Sequence, residues 1–300
     1  MVSQAHTKPM ASVVVPTLNR QRSLKIALVS LLDQDYDSYE IVVVDQSTSL
    51  PSSDLKSLME GEEKIRHFHI KRPGLVDARN FGVKQAKGEI IIFCDDDVVA
   101  SPSWVTAHVR NYHEPVVGAV AGRVFFHNGR DTNRIRKVGK INWRTGTMIS
   151  NFDANFRTEI DHVYGCNFSF RKRVFLQTGG FDRSFNYIFD DADMSLSIKE
   201  LGHKIIFAPE AVVEHVQTTC GGLKHIYLSP EKLMFCRFRN HFLLFWKHLN
   251  RIFLGAFILS RFIEIIRWAK FYRQPGLVFT GIEALLAGIM HVFRMSVKGK

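Results

Sequence analysis

Residues 88–97 read GEIIIFCDDD, an unbroken apolar run from Ile90 to Cys94 that stops at three adjacent carboxylates. A strand that is apolar at every position suits a sheet covered on both faces, the usual state of parallel sheets. Toward the N-terminus three more short runs precede it, SVVVP at 12–16, EIVVVD at 40–45 and RHFHI at 66–70. Between the first two, Leu24, Ala27, Leu28, Leu31 and Leu32 recur at i, i+3, i+4, i+7 and i+8, and Ser23 is placed to cap that helix. A second connecting helix is expected over 76–87 and a third over 103–113, after the start signal Ser101-Pro102. This alternation predicts an α/β fold on a mostly parallel central sheet flanked by helices.

Toward the C-terminus, VGAVAGRVFF at 117–126 reads as another strand. The stretch 127–160 is polar and weakly periodic, which predicts a mobile loop region of the kind that often carries function. Beyond it the pattern predicts helices near 171–178 and across 191–201, separated by Gly179-Gly180, and a strand at 204–208 closed by Pro209.

Of 300 residues, 46% are hydrophobic and 23% charged, which excludes disorder, collagen and a small disulfide scaffold. The net charge of +11 is unevenly placed: residues 221–300 hold 13 Lys/Arg against 3 Asp/Glu, so the first 220 carry only +1. Two domains are expected, a body over 1–220 and a basic helical region over 221–300. Cysteines at 94, 166, 220 and 236 have no regular spacing, and the opening MVSQAHTKPM has no apolar segment, so a reduced, cytoplasmic body is expected. The apolar stretches 252–266 and 277–293 are interrupted by Arg261, Glu264 and Glu283 and fall short of the roughly 20 residues of a spanning helix. Two readings of the aromatic, basic tail stay open: a helical region lying peripherally on an anionic membrane, or one packed on the body with a solvated basic face. No nucleic-acid-binding motif accompanies the charge, so no nucleic-acid partner is expected.

Neither GxGxxG nor GxxxxGK[ST] is present, so any phosphate must be held by other means. Asp95, Asp96 and Asp97 at a strand end repel one another unless a cation is near, and Mg²⁺ or Mn²⁺ takes carboxylate oxygens together with substrate phosphates. Residues i and i+2 of an extended chain face one side, so Asp95 and Asp97 can converge on one ligand; a solvated acidic turn is the plainer alternative. Asp45 ends the second strand at the same edge, as a site residue or as a turn former. Asp190, Asp191 and Asp193 open the late helix, where acids also serve ordinary capping. An ionised carboxylate there could take a proton from a hydroxyl nucleophile.

The segments VVVPTLNR, VVVDQS, GLVDARNFGVKQAKGEIIIFCDDDV, GCNFSFRKRVF, GGFD, FDDADMSLSIKELG and PEAVVEH, in this order over about 12–215, resemble the family 2 inverting glycosyltransferases of the GT-A fold. The resemblance implies a Rossmann-like sheet and a nucleoside pocket lined by Pro16, Thr17, Asn19 and Asp45. It further implies Arg79 near the donor diphosphate, Asp95 and Asp97 as the outer acids of a DxD motif, and Asp96 close to the sugar. Gly165, Cys166 and Asn167 would lie beneath that sugar. Asp97, Asp95 and His215 would serve Mn²⁺ or Mg²⁺, although a histidine after a strand is more often structural. Asp191 matches the general base; Asp190 stands where the family pattern has Glu. The implied reaction moves a sugar from a nucleotide-diphosphate sugar, UDP-linked by preference, to a glycan or lipid-linked acceptor. Two other classes are weighed against it: a nucleotidyltransferase, which would carry a glycine-rich basic loop where this chain has PTLNRQRSL, and an inactive membrane-associated nucleotide-binding module.

Overall fold

The computed structural model describes residues 10–125, 132–185, 187–216 and 229–298. The first nine residues, Cys220 and the expected boundary at 220/221 lie outside the described residues. Strands β1 (Ala11–Thr17), β2 (Tyr39–Asp45), β3 (Ile65–His69) and β4 (Ile90–Cys94) pair in parallel in the order β3-β2-β1-β4. Every residue of β1, β2 and β4 is buried, as the continuous apolar runs require. The sheet then continues through β10 (Asn167–Arg171), β6 (Val117–Phe125), β11 (Lys204–His215) and β5 (Val98–Ala100), with β9 (Thr158–Ile160) also on β11. Because β10 is antiparallel to both β4 and β6, the direction of β4 returns in β6 and in its parallel neighbour β11. Six of the nine strands thus point one way, and their carboxyl ends share an edge, the usual ligand edge of an open α/β sheet.

The helices α1 (Gln21–Leu32), α2 (Ser53–Gly61), α3 (Leu75–Gln85) and α4 (Trp104–Val109) connect these strands, and α5 (Lys172–Thr178) follows β10. In α1 Leu24, Ala27, Leu28 and Leu31 of the predicted stripe are buried and Leu32 partly so, but the N-cap is Arg20, so Ser23 lies inside the first turn. Gly82 lets α3 approach the sheet: a Cβ there would lie 2.3 Å from Val14 Cγ1. Strand β11 does not stop at Pro209; the register with β6 slips between Ala208 and Val212, and this irregularity accommodates a ring that cannot donate to the ladder.

The expected mobile region is packed where it is described. Ile135, Val138, Phe152, Ala154 and Ile160 join the main core, and β7 (Lys140–Ile141) pairs with β8 (Met148–Ile149) as a short hairpin. Its turn is pinned: the buried Arg261 donates from Nη2 to Thr147 Oγ1 at 3.3 Å, and His241 Nε2 donates to the Gly146 carbonyl at 2.7 Å.

Those clamps come from the tail, which folds as α7 (Pro230–His248), α8 (Leu254–Phe271) and α9 (Leu277–Lys298). Phe238, Phe242, Phe245, Phe257 and Ile265 form its core, and Phe185, Phe189, Ala192 and Leu196 of the body belong to the same cluster. Two of those body residues come from α6 (Asp190–Glu200), which is also tied to α7 by charge. Buried Asp193 lies 2.8 Å from Lys247 Nζ and 2.7 Å from His248 Nε2, and His248 Nδ1 is 2.7 Å from Glu200. One side of the tail is therefore packed on the body. The other leaves Leu259, Phe262, Ile263, Ile266 and Phe271 of α8 and Phe279, Leu286, Met290 and Phe293 of α9 exposed. Among the described residues one stretch, Leu277–Arg294, is long and apolar enough to cross a membrane by length and composition.

Candidate active site

At the carboxyl edge of the sheet lies a cleft of about 530 Å³, lined by residues of β1, β8, α3, α6, α7, α8 and β11 and by the acid triplet that follows β4. Pairing of β1 with β4 sets the loop after Thr17 beside the acid triplet. Thr17 Oγ1 donates to Asp96 Oδ2 at 2.6 Å, while Arg20 Nη1 donates to Asp96 Oδ1 at 3.0 Å and to Asp97 Oδ2 at 2.8 Å. Asp96 thus has both oxygens engaged by the protein and holds the turn. Arg20 is a site residue that the motif reading passed over; its signal was a cation three residues beyond β1, on a loop adjacent to the triplet.

Antiparallel pairing of β5 with β11 sets His215 opposite Val98, and its Nε2 stands 3.7 Å from Asp97 Oδ1. Burial, with Asp97 and Asp96 nearby, lifts the Asp95 carboxyl to about 7 even against the pull of Arg79, and burial lifts Asp96 to about 6.

Arg79 occupies the centre of this edge, its side chain only 2% exposed. Nη1 donates to Asp190 Oδ2 at 2.6 Å and Nη2 to the Gly165 carbonyl at 2.6 Å, with Asp95 Oδ1 3.8 Å away. The rings of Phe93, Phe168 and Phe181 lie 5.7, 5.5 and 5.6 Å from its guanidinium carbon. Arg79 lines the cleft, but these contacts make it first a brace between α3, α6 and the 165 turn.

The first two acids of α6 are in different states. Asp190 is neutralised by Arg79, whereas Asp191 Oδ1 accepts only the N–H of Ala192, at 2.8 Å, and no cation bonds it among the described residues. Burial, with Asp190 adjacent, lifts Asp191 to about 7. Gly165 lies between these groups: a Cβ there would come within 3.3 Å of Arg79 Nη2 and 3.4 Å of Asp191 Oδ2. The loop entering α6 is strained, with Tyr187 at φ 71° and Phe189 at φ 70°, both left-handed and neither glycine. Three consecutive residues of α7 hold it. Arg239 donates to the Ser184 carbonyl at 3.0 Å, Asn240 Nδ2 to the Ile188 carbonyl at 3.0 Å, and the His241 ring lies 4.9 Å from Phe189.

Pro16, Thr17, Arg79, Asp95, Asp96, Asp97, Gly165, Cys166, Asp190, Asp191 and His215 all line the cleft. Three expected residues do not. Asn167 is fully buried beneath the sheet edge, where its Oδ1 accepts from Trp104 Nε1 at 2.8 Å and its Nδ2 donates to the carbonyls of Arg123 and Ala211, both at 2.9 Å; a small amide on an inward-facing strand position was consumed by the core. Asp45 is buried, and although burial alone would raise it, bonds from His67 and Ser47 hold it below the ordinary aspartate value. Asn19, left-handed at φ 56°, accepts the Thr48 N–H at 3.0 Å. Asp45 and Asn19 shape the loop 46–48, whose Gln46 reaches the cleft. Cys166 is buried, which pushes its thiol well up and agrees with a packing role.

The sequence profile described as Glycosyl transferase family 2 matches residues 12–179. A glucosyl-dolichyl phosphate glucuronosyltransferase of Haloferax volcanii is 26% identical over 228 residues, covering 68% of each chain. Two solved structures share the architecture: GalNAc-T7 with UDP, GalNAc and Mn²⁺, at a TM-score of 0.62 and 18% identity over 79% of this chain and 48% of that one, and the mannosyltransferase PcManGT of Pyrobaculum calidifontis with GDP-Man and Mn²⁺, at 0.58 and 19% over 95% and 76%. At these identities the two structures speak for the fold. The chain spans between 14% and 68% of the length of the first curated relatives it matches.

Proposed function

The chain belongs to glycosyl transferase family 2, and we propose that it is a metal-assisted inverting transferase that moves a sugar from a nucleoside diphosphate to an acceptor hydroxyl. The observation that carries the reading is the contrast within α6: Asp190 is paired with Arg79, while Asp191, one residue on, faces the same cleft without a cation bonded to it. A carboxylate lifted to about 7 is matched in basicity to proton abstraction near neutral pH. Asp191 takes the proton of the acceptor hydroxyl as that oxygen bonds the anomeric carbon. The bond from that carbon to the diphosphate breaks on the opposite face, so the configuration inverts.

The donor set fits a hard divalent cation. Asp95, Asp97 and His215 offer carboxylate oxygens and an imidazole, and Asp97 Oδ1 lies 3.7 Å from the His215 ring, although among the described residues no three such groups are gathered around one point. When bound, Mn²⁺ or Mg²⁺ supplies charge stabilisation to the departing diphosphate. Arg20 and Thr17 orient Asp96 and Asp97, and Arg79 keeps Asp95 and the 165 turn in place.

Thermal unfolding against UDP, GDP, dTDP and CDP, each with Mn²⁺, Mg²⁺ or EDTA, tests the donor side. Ligand at about 100 times its dissociation constant adds roughly 2.7 kcal/mol. A metal-dependent rise for one nucleotide is expected, UDP first. No rise for any of them refutes the reading.

The acceptor is a glycan or a lipid-linked glycan, a class named in the Haloferax volcanii relative, and the tail rests on an anionic membrane surface. The exposed apolar side of α8 and α9, on a region with 13 cations against 3 acids, supports this docking. Liposome pelleting should favour anionic over neutral lipid; equal or absent recovery would remove the membrane from the reading.

A further inference from the structure

Part of the cleft wall is not used by the donor chemistry. Leu233 and Arg237 of α7 and Trp268 of α8 form that part, beyond the family match at 12–179. The Arg237 guanidinium carbon lies 5.6 Å from the Phe189 ring centre and 5.0 Å from that of Trp268, so a guanidinium bridges the residue preceding α6 to the tail indole. Its Nε and Nη2 donate to Glu264 Oε1 at 3.1 and 3.0 Å, and Glu264 is shared with Arg261, which fixes the fork. Among the described residues neither Arg237 Nη1 nor the Trp268 indole N–H has a hydrogen-bond acceptor, and both side chains are only partly buried.

A partly buried indole at the cleft wall, with Arg237 over its ring and two unspent N–H donors beside it, suits a ligand that is apolar on one side and rich in oxygen around its rim. Pyranose rings have that form. Resting on the proposed transferase reading, we infer that Trp268 and Arg237 form the acceptor subsite, with an acceptor pyranose packed against the indole and its hydroxyls accepting from Arg237 Nη1 and the indole N–H. Phe189, Asp191, Arg237 and Trp268 line the same cleft, so the ring and the group that takes its proton share one space. Acceptor choice then resides in the tail, apart from the donor machinery.

The test uses the full chain with UDP and diamagnetic Mg²⁺. Methyl β-pyranosides of glucose, galactose, mannose and N-acetylglucosamine are the probes, and open-chain sorbitol is the control. Binding is read by saturation-transfer NMR and titration, and UDP affinity is measured on every variant as the check on folding. At least one pyranoside is expected to bind and sorbitol not; Trp268→Ala and Arg237→Gln each weaken binding about tenfold or more, the conservative Trp268→Phe changes it less than about threefold, and UDP affinity is unaltered. UDP binding without any pyranoside binding, sorbitol binding as well as a pyranoside, or a Trp268→Ala protein that binds pyranoside normally would overturn the subsite and leave the transferase reading intact. Failure of UDP itself to bind would overturn both.

Discussion

Arg79→Met separates a bracing arginine from one that exists to meet a diphosphate. The native side chain is 2% exposed and its partner Asp190 4%, so methionine fills most of the volume but leaves a buried carboxylate without its cation. Breaking a buried pair from one side costs about 3–5 kcal/mol. The Gly165 carbonyl also loses its donor, which places the variant toward the upper part of that range. At roughly 2–4 °C per kcal/mol, the unfolding midpoint should fall by about 10 °C or more. Equilibrium urea unfolding at fixed pH gives the energies. Asp190→Asn should also destabilise, and the double variant should lose less than the sum of the two by about 1–3 kcal/mol. Near-wild-type stability in Arg79→Met together with weakened nucleotide binding, or strictly additive variants, would refute the brace.

Other outcomes follow from the same geometry. Because Asp191 stands at about 7 and must be ionised to act, kcat/KM should climb about tenfold per pH unit below that value and level off above it; a flat profile would remove it as the base. Asp191→Asn should keep nucleotide binding and lose transfer, which a donor titration beside a turnover assay would reveal. Asp95, Asp96 and Asp191 all hold protons in the folded chain at pH values where unfolded aspartate has released them, so the metal-free protein should lose stability as pH rises from about 4 to about 7; urea midpoints that rise over this window would contradict the shifts. Gly146→Ala, at φ 68° and with its Cβ 3.0 Å from the Phe257 ring, should cost about 1–3 kcal/mol and loosen the β7–β8 turn, measurable as faster amide exchange over 142–147. Asn240→Leu strands the Ile188 carbonyl and should cost about 1–3 kcal/mol, with a larger loss of turnover than of nucleotide affinity.

The parallel half of the sheet was legible because strands buried on both faces leave continuous apolar runs, as in β1, β2 and β4. Strands β5 and β10 were not, because Val98–Ala100 is only three residues long and NFSFR mixes apolar positions with Asn167 and Ser169, whose polar groups are satisfied only in the folded core. The ordered state of 132–160 was hidden for a related reason: its turn is fixed by Arg261 and His241, about a hundred residues away, and long-range clamps have no local signature. Asp95, Asp97 and Asp191 announced themselves as carboxylates at a strand end and at a helix start. Arg20 did not, because a cation in a loop gains meaning only when β1 and β4 are known to be neighbours. Arg237 and Trp268 were masked by the abundance of aromatics and cations around them, which in composition alone resembles a solvated or membrane-facing helix.

The tail and the loop entering α6 share one set of contacts. Strain at Tyr187 and Phe189 has to be offset by something, and the contacts that hold the loop come from Arg239, Asn240 and His241. The helix that follows is anchored at its far side by Asp193 to Lys247 and His248, so Asp191 lies between a strained loop and a salt-bridged turn, both fastened to α7. The same three-helix region presents apolar side chains outward on α8, one turn away from Trp268 in the cleft. A force on the outer side of α8, such as lodging Ile263 and Ile266 in lipid, acts on the helix that carries Trp268 and, through Arg237 and Phe189, on the entry to α6. On the proposed function, association with a surface and alignment of the base would draw on these same contacts.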